Sequence, residues 1–363
     1  MTSNATSLGY EVEDVGFYIY YFGIMGLLTC VNIPGNILVM TTILRHRDLH
    51  INSNYLLVNQ AAADLLYGVL YPVYNFAQMT IVPSVVEAFA DYTVCTFFIS
   101  QVLTVVFCSP INLMVVTLDR FIAIVYPFRY EQHVTAKSTL IAIASVWIFS
   151  ELYSISVHVI YPPRSDFKIC RYEDMFNVLQ TLLMNLATGL TPLGVMIFLY
   201  IRIVKVVRTQ SRSIAVQLIA VEASSNDNGN SRKVPKKTKE NKSTALISLL
   251  LLFYFCAWCP VLVYFLYVML TKTKPSPYFG ATCRIFVFTN SCVNVFVYSL
   301  RLQNFRKYLM KDIRLCCKKF CDYLPEKKRR SYRINRLDRG DISTDRSSSK
   351  LSGRADISII NIQ

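Results

Sequence analysis

The sequence predicts an all-α membrane protein: a seven-transmembrane helix bundle followed by an amphipathic juxtamembrane eighth helix. Three observations predict it. Only 17% of the 363 residues are charged and 53% are hydrophobic, whereas a soluble domain carries about 25% charged residues. The apolar residues gather into seven runs, each long enough for the roughly 20 residues that a helix needs to cross a bilayer. Lys and Arg crowd to one side of these runs. Backbone groups in lipid must bond one another, so helices are the form such runs take.

In chain order, the acidic segment Met1–Asp14 carries no Lys or Arg. With the long run after it, that is not the pattern of a cleavable signal peptide. Uncharged runs cover Val15–Leu44, Ile51–Val86 (broken only by Asp64), Tyr92–Leu118, Met175–Ile201 and Ser243–Thr271. Ser138–Tyr161, with Glu151 and His158, and Ala281–Leu300, with Arg284, complete seven spans. Arg45, Arg47, Arg129, Lys137 and the basic set of Arg202–Lys242 lie on one side, as does the basic tail. The amino terminus is therefore expected outside and the carboxyl terminus inside. The +15 net charge is then a topology signal facing an anionic inner leaflet; nucleic acid is not an expected partner. The domains read as a tail at 1–14, a bundle at 15–302, an amphipathic inner-surface helix at 303–317 and a disordered cytoplasmic tail at 318–363. In the helix, Phe305, Leu309 and Ile313 share one face and Arg306, Lys307, Lys311 and Arg314 lie largely on the others. The loop Ala223–Lys242 is polar and expected to be mobile.

Several residues carry chemistry. Asn4-Ala5-Thr6 is a glycosylation acceptor on the expected outer side. Cys95 and Cys170 fall near the outer surface, where a disulfide between them is allowed; Cys283 would be left as a thiol. Cys316, Cys317 and Cys321 follow the amphipathic stretch, where reversible palmitoylation occurs. Asp64 lies in mid-span, where a charge costs about 3 kcal/mol. Ser109, Asn290, Ser291 and Asn294 are polar at matching depth, and together with Asp64 their oxygens suit a small hard cation. Asp119-Arg120 closes the third run as a full charge pair at the membrane edge.

One motif per span then makes a resemblance specific. Gly35-Asn36, Asn59-Gln-Ala-Ala-Ala-Asp64-Leu, Leu118-Asp119-Arg120-Phe121, Trp147, Pro192 with Tyr200, Trp258-Cys259-Pro260 and Asn294-Val-Phe-Val-Tyr298 occur in order, with Cys95 and Cys170. Across Val15–Cys317 the chain resembles a rhodopsin-like (class A) G-protein-coupled receptor. The resemblance implies a plasma-membrane receptor, not an enzyme, with no obligatory cofactor and an allosteric sodium ion at Asp64, Ser109, Asn290, Ser291 and Asn294. It implies that Arg120 meets Asp119 and Glu240 at rest, and is freed toward a heterotrimeric G protein as Tyr200 and Tyr298 turn inward. Arrestin and receptor kinases would act at the Ser-rich tail. Trp258 would floor the ligand pocket, and Pro260 would kink the sixth span. Pro110, Phe121, Tyr254, Ala257 and Val295 depart from the family pattern, so the relay between pocket and inner face is expected to be altered.

Residue type narrows the ligand. A protonated amine calls for a carboxylate on the outer third span, where Val102 stands beside Gln101. Phe288 stands where a retinal-binding receptor has lysine. The expected pocket is aromatic, with Tyr71, Tyr74, Gln101, Val102, Trp258, Tyr264 and Phe288. The outer loops carry both signs, with Glu87, Asp91, Asp166, Glu173 and Asp174 against Arg164, Lys168, Arg171, Lys272 and Lys274. A peptide is the favoured ligand. The alternatives are a non-amine small molecule or lipid, a non-signalling decoy receptor, and an ion-coupled transporter or channel using Asp64 and Glu151.

Overall fold

The computed structural model describes residues 15–79, 91–160, 178–224, 240–271, 273, 275–301 and 303–323. The helices are α1 (Val15–Arg45), α2 (Asn52–Met79), α3 (Tyr92–Val125), α4 (Pro127–His133), α5 (Ala136–Ile160), α6 (Val178–Asn185), α7 (Thr191–Ser224), α8 (Glu240–Thr271), α9 (Pro277–Arg301) and α10 (Gln303–Tyr323). A 3-10 turn, Arg47–Leu49, joins α1 to α2. A π-helical segment, Leu186–Leu190, joins α6 to α7 through helical residues at both ends. α6, this segment and α7 therefore form one rod. Among the described residues, seven helical stretches are long and apolar enough to cross a membrane, and there is no strand.

Local sequence sets the ends. The Asp91 side chain accepts from Val94 N at 3.0 Å and caps α3. Pro127 opens α4 at a position where its missing N–H costs nothing. Thr135 and Ser138 cap α5 reciprocally, each hydroxyl accepting from the other's backbone N–H. The expected inner loop from Arg202 begins later than its charge suggested. α7 continues to Ser224, because Ile201–Ser224 holds no Gly or Pro to stop it.

The chain divides into two compact units, Met1–Leu309 and Met310–Gln363. In the first, α3 is central and packs on α2, α5, α7 and α8, while α9 closes the bundle against α1, α2 and α8. The arrangement inverts that of a soluble protein. Leu27 and Leu270 are each 71% exposed, whereas Gln60, Asp64 and Asn112 are fully buried. Apolar side chains face outward into what must be lipid, and polar ones meet inside. The Tyr308 hydroxyl donates to Asp48, and its ring stacks on His46 at 4.4 Å. With Phe305 and Leu309 buried and Arg306 and Lys307 exposed, this part of α10 has the amphipathic face the sequence predicts. The second unit holds the rest of α10, to Tyr323, longer than the expected end at 317.

Two glycines set close helix approaches. A Cβ on Gly68 of α2 would overlap the Asn32 side chain of α1, and one on Gly35 would lie 3.1 Å from Val295 Cγ2. Val295, in place of the family's proline, is thus seated on a residue with no side chain. Gly68→Ala should lower the stability of the purified chain by about 1–3 kcal/mol, the range for overpacking. Gly26→Ala, which meets nothing within 4 Å, should leave the thermal midpoint unchanged. Equal midpoints for the two variants would contradict the packing.

Candidate receptor switch and polar core

The inner end of α3 carries the charge pair. Arg120 donates to Asp119 Oδ2 through Nε at 2.9 Å and Nη2 at 2.6 Å. Two residues that the sequence did not single out complete the clamp. Ser53 Oγ of α2 donates to the same oxygen at 2.8 Å, and Tyr130 Oη of α4 donates to Oδ1 at 2.9 Å. Ser53 and Tyr130 also lie 3.1 Å apart. Burial pushes the Tyr130 phenol above its ordinary value, and the Asp119 carboxylate pushes it the same way, though the Ser53 bond opposes. The phenol therefore stays protonated, as a donor. Bonds from Ser53 and Tyr130 hold Asp119, which in turn accepts two bonds from Arg120. α8 begins at Glu240 as expected, but the Glu240 side chain lies outside what is described.

Above the clamp runs a chain of buried amides. Trp147 Nε1 of α5 donates to Asn59 Oδ1 at 2.8 Å. Asn59 Nδ2 donates to Asn112 Oδ1 at 2.8 Å. Asn112 Nδ2 donates to Gln60 Oε1 at 2.8 Å and to the Leu56 carbonyl at 3.1 Å. Gln60 Nε2 donates to Ser109 Oγ at 2.6 Å and to both oxygens of Asp64 at 3.2 and 3.3 Å. From the other side, Asn294 Nδ2 of α9 donates to Asp64 Oδ2 at 2.7 Å, Ser109 Oγ to Oδ1 at 3.1 Å, and Ser291 bonds the same carboxyl. The helices α2, α3, α5 and α9 are thus joined by side chains alone. Each such bond contributes about 0.6 kcal/mol in membrane bundles, up to about 1.7.

Four of the five expected cation ligands, Asp64, Ser109, Ser291 and Asn294, are directly linked. Asn290 is buried beside them, lining a small crevice with Ser109, Ser291, Pro110 and Trp258. The residue missed was Gln60. It lies one helical turn before Asp64, so the i, i+4 relation was readable. Its amide presents N–H, not oxygen, to the carboxylate, and this donor set does not fit a sodium ion.

Trp258 lines this crevice and stacks on Tyr254 at 5.8 Å. A Cβ on Gly189 would lie 2.9 Å from its ring, so the glycine of the π segment makes room for the indole. A π turn shifts the bonding register and leaves carbonyls short of donors. The Tyr254 hydroxyl answers this, lying 2.9 Å from Thr188 O and 3.2 Å from Gly189 O. Phenylalanine could not do so, which gives the Tyr254 departure a physical role. The Cys283 thiol donates to Pro260 O at 3.3 Å, joining α9 to the proline turn of α8.

The other expected residues separate. Tyr71, Tyr74, Val102 and Phe288 are buried in one apolar cluster with Phe17, Tyr21 and Tyr67, and Tyr67 packs on Phe288 at 5.2 Å. Tyr264 packs on Phe279 at 5.9 Å. Gln101 Nε2 donates to Glu151 at 3.2 Å and Thr104 Oγ1 donates to it at 2.8 Å, so the mid-span acid of α5 is engaged by α3. Tyr200 is partly buried on α7. Tyr298 is 1% exposed, and its hydroxyl has no hydrogen-bond partner among the described residues. Cys95 is disulfide-bonded. Asn4 and Cys170 lie outside the described residues, as do the side chains of Cys316 and Cys317.

Tyr254→Phe should destabilise the chain by about 1 kcal/mol, the worth of a bond in such a setting. Thermal unfolding of the two purified forms checks this; identical midpoints would show that the hydroxyl does not hold the π segment.

Comparison with known proteins agrees with this geometry. The family model "7 transmembrane receptor (rhodopsin family)" matches residues 35–298. The alpha-1A adrenergic receptor of Cavia porcellus is 25% identical over 328 residues, covering 81% of this chain and 67% of that receptor. The octopamine receptor beta-2R of Chilo suppressalis is 23% identical, covering 93% and 89%. The dopamine D2-like receptor of Drosophila melanogaster is 30% identical over 195 residues, covering 53% and 21%. With the family match spanning the seven-helix bundle and its polar core, this chain belongs to the rhodopsin family of G-protein-coupled receptors and is not an enzyme.

Proposed function

We propose that the chain is a plasma-membrane receptor, its amino terminus extracellular, in which an outer ligand releases Arg120 toward a heterotrimeric G protein. The observation that carries this is the Asp119 clamp. One arginine is held by one carboxylate, which is itself held by α2 and α4. A ligand that favours a second helix arrangement shifts the balance between held and freed. Tyr298, buried and with no hydroxyl partner among the described residues, stands ready to find one in that second arrangement. Tyr200 on α7 and Glu240 at the head of α8 would complete the resting and active contacts. Arrestin and receptor kinases would act on the tail beyond α10.

The relatives reported above are named for adrenergic agents, octopamine and dopamine. That ligand class does not carry over readily, because Val102 offers no carboxylate and Glu151 is already bonded by Gln101 and Thr104. The mixed charge of the outer loops favours a peptide.

Two experiments test this. Ser53→Ala or Tyr130→Phe removes one bond of about 1 kcal/mol, which moves a two-state balance roughly fivefold. Basal guanine-nucleotide exchange by the co-expressed G protein should rise accordingly. Arg120→Ala should abolish exchange at equal surface expression, and an undiminished rate would sink the switch. Separately, cells expressing the receptor should respond to a component of a peptide library and not to noradrenaline, octopamine or dopamine. A saturable amine response would contradict the peptide assignment.

A further inference from the structure

We infer that the side-chain amide of Gln60 stands permanently where a cation would sit beside Asp64, so that this receptor's core is indifferent to sodium. An ionised carboxylate has two oxygens and about four acceptor positions. Four donors already reach Asp64: Gln60 Nε2, Ser109 Oγ, Asn294 Nδ2 and Ser291. A sodium ion would need Gln60 to turn its oxygen inward, since hard cations take oxygen ligands.

That rotation is opposed from both ends of the amide chain. Trp147 Nε1 is a donor only, so it fixes Asn59 Oδ1 toward α5 and Asn59 Nδ2 toward Asn112. The Leu56 carbonyl is an acceptor only, so it fixes Asn112 Nδ2 toward α2. The same Nδ2 then requires an oxygen from Gln60. Gln60 is left with one orientation, N–H toward Ser109 and Asp64. Turning it would set Nε2 against Nδ2 of Asn112, or require three buried amides to turn together against an indole and a carbonyl. Both ends of the chain being fixed, the polarity of each amide follows from chemistry alone.

Thermal unfolding of the full-length purified receptor tests this without ligand or G protein, so its outcome is independent of the signalling reading above. The probe is sodium chloride against choline chloride at equal ionic strength. Wild type should show midpoints within about 1 °C of each other, as expected where no ion binds the folded state. Gln60→Leu removes the amide and leaves the other oxygens. It should gain a saturable, sodium-specific rise of several degrees, and Gln60→Leu with Asp64→Asn should lose it again. A saturable sodium-specific rise in wild type would overturn the inference. So would a folded Gln60→Leu with no sodium dependence. Should that variant not fold, the wild-type comparison decides alone.

Discussion

The amides that join the centre of this bundle depend on one constraint: a buried amide gains most when both its donor and its acceptor find partners. Lipid offers no hydrogen bonds, and an unmet group costs about 1–3 kcal/mol. Asn59, Asn112 and Gln60 meet the constraint by handing bonds from one to the next, from Trp147 to Asp64. The chain therefore has a direction, and no member can turn alone. It joins α5, α2 and α3 to α9 through Asn294. The helices can slide or tilt only if this run of bonds moves as a unit or breaks. A receptor that must occupy two arrangements needs such a bistable element, since packed interiors do not deform gradually.

The clamp at the inner face and the aromatic layer above are built around the same axis. α3 supplies Ser109, Asn112, Asp119 and Arg120 along its length. Its contacts with α2 recur at each level, through Asp64, Gln60, Asn59 and then Ser53. Trp258 lines the crevice shared by Ser109, Asn290 and Ser291, and the π segment Leu186–Leu190 yields space at Gly189. Three of the five residues that depart from the family pattern are each accommodated locally. Tyr254 bonds the π carbonyls, Val295 sits against Gly35, and Pro110 lines the crevice beside Trp258. The relay is changed in chemistry, yet it is filled rather than broken.

Much of this was legible beforehand. Seven spans, the charge pair and the mid-span acid follow from runs of apolar residues and from the cost of charge in lipid. Gln60 was legible too, one turn from Asp64, but it was read as part of a matched motif instead of as a donor. Ser53 and Tyr130 were not legible. They reach Asp119 from 66 residues before and 11 residues after it, and nothing in local spacing marks a hydroxyl for such a meeting. The π segment has no periodic signature, so residue spacing marks the fifth span only as an apolar run. The expected pocket residues Tyr71, Tyr74 and Phe288 pack into the outer core with Phe17 and Tyr21, which aromatic content alone could not distinguish from an open cavity.

The directed chain is the central claim, and a double-mutant cycle between its ends measures it. Trp147→Phe removes the first donor and Asn294→Ala the last, and the two residues share no partner. Unfolding free energies of the two single variants and the double variant, in reconstituted membranes, give the coupling. Members of one hydrogen-bond network couple by about 0.5–3 kcal/mol, whereas distant independent sites add to within about 0.5 kcal/mol. A coupling above that limit is the result the chain predicts. Simple additivity would show that the amides are separate bonds and that no continuous element links α5 to α9.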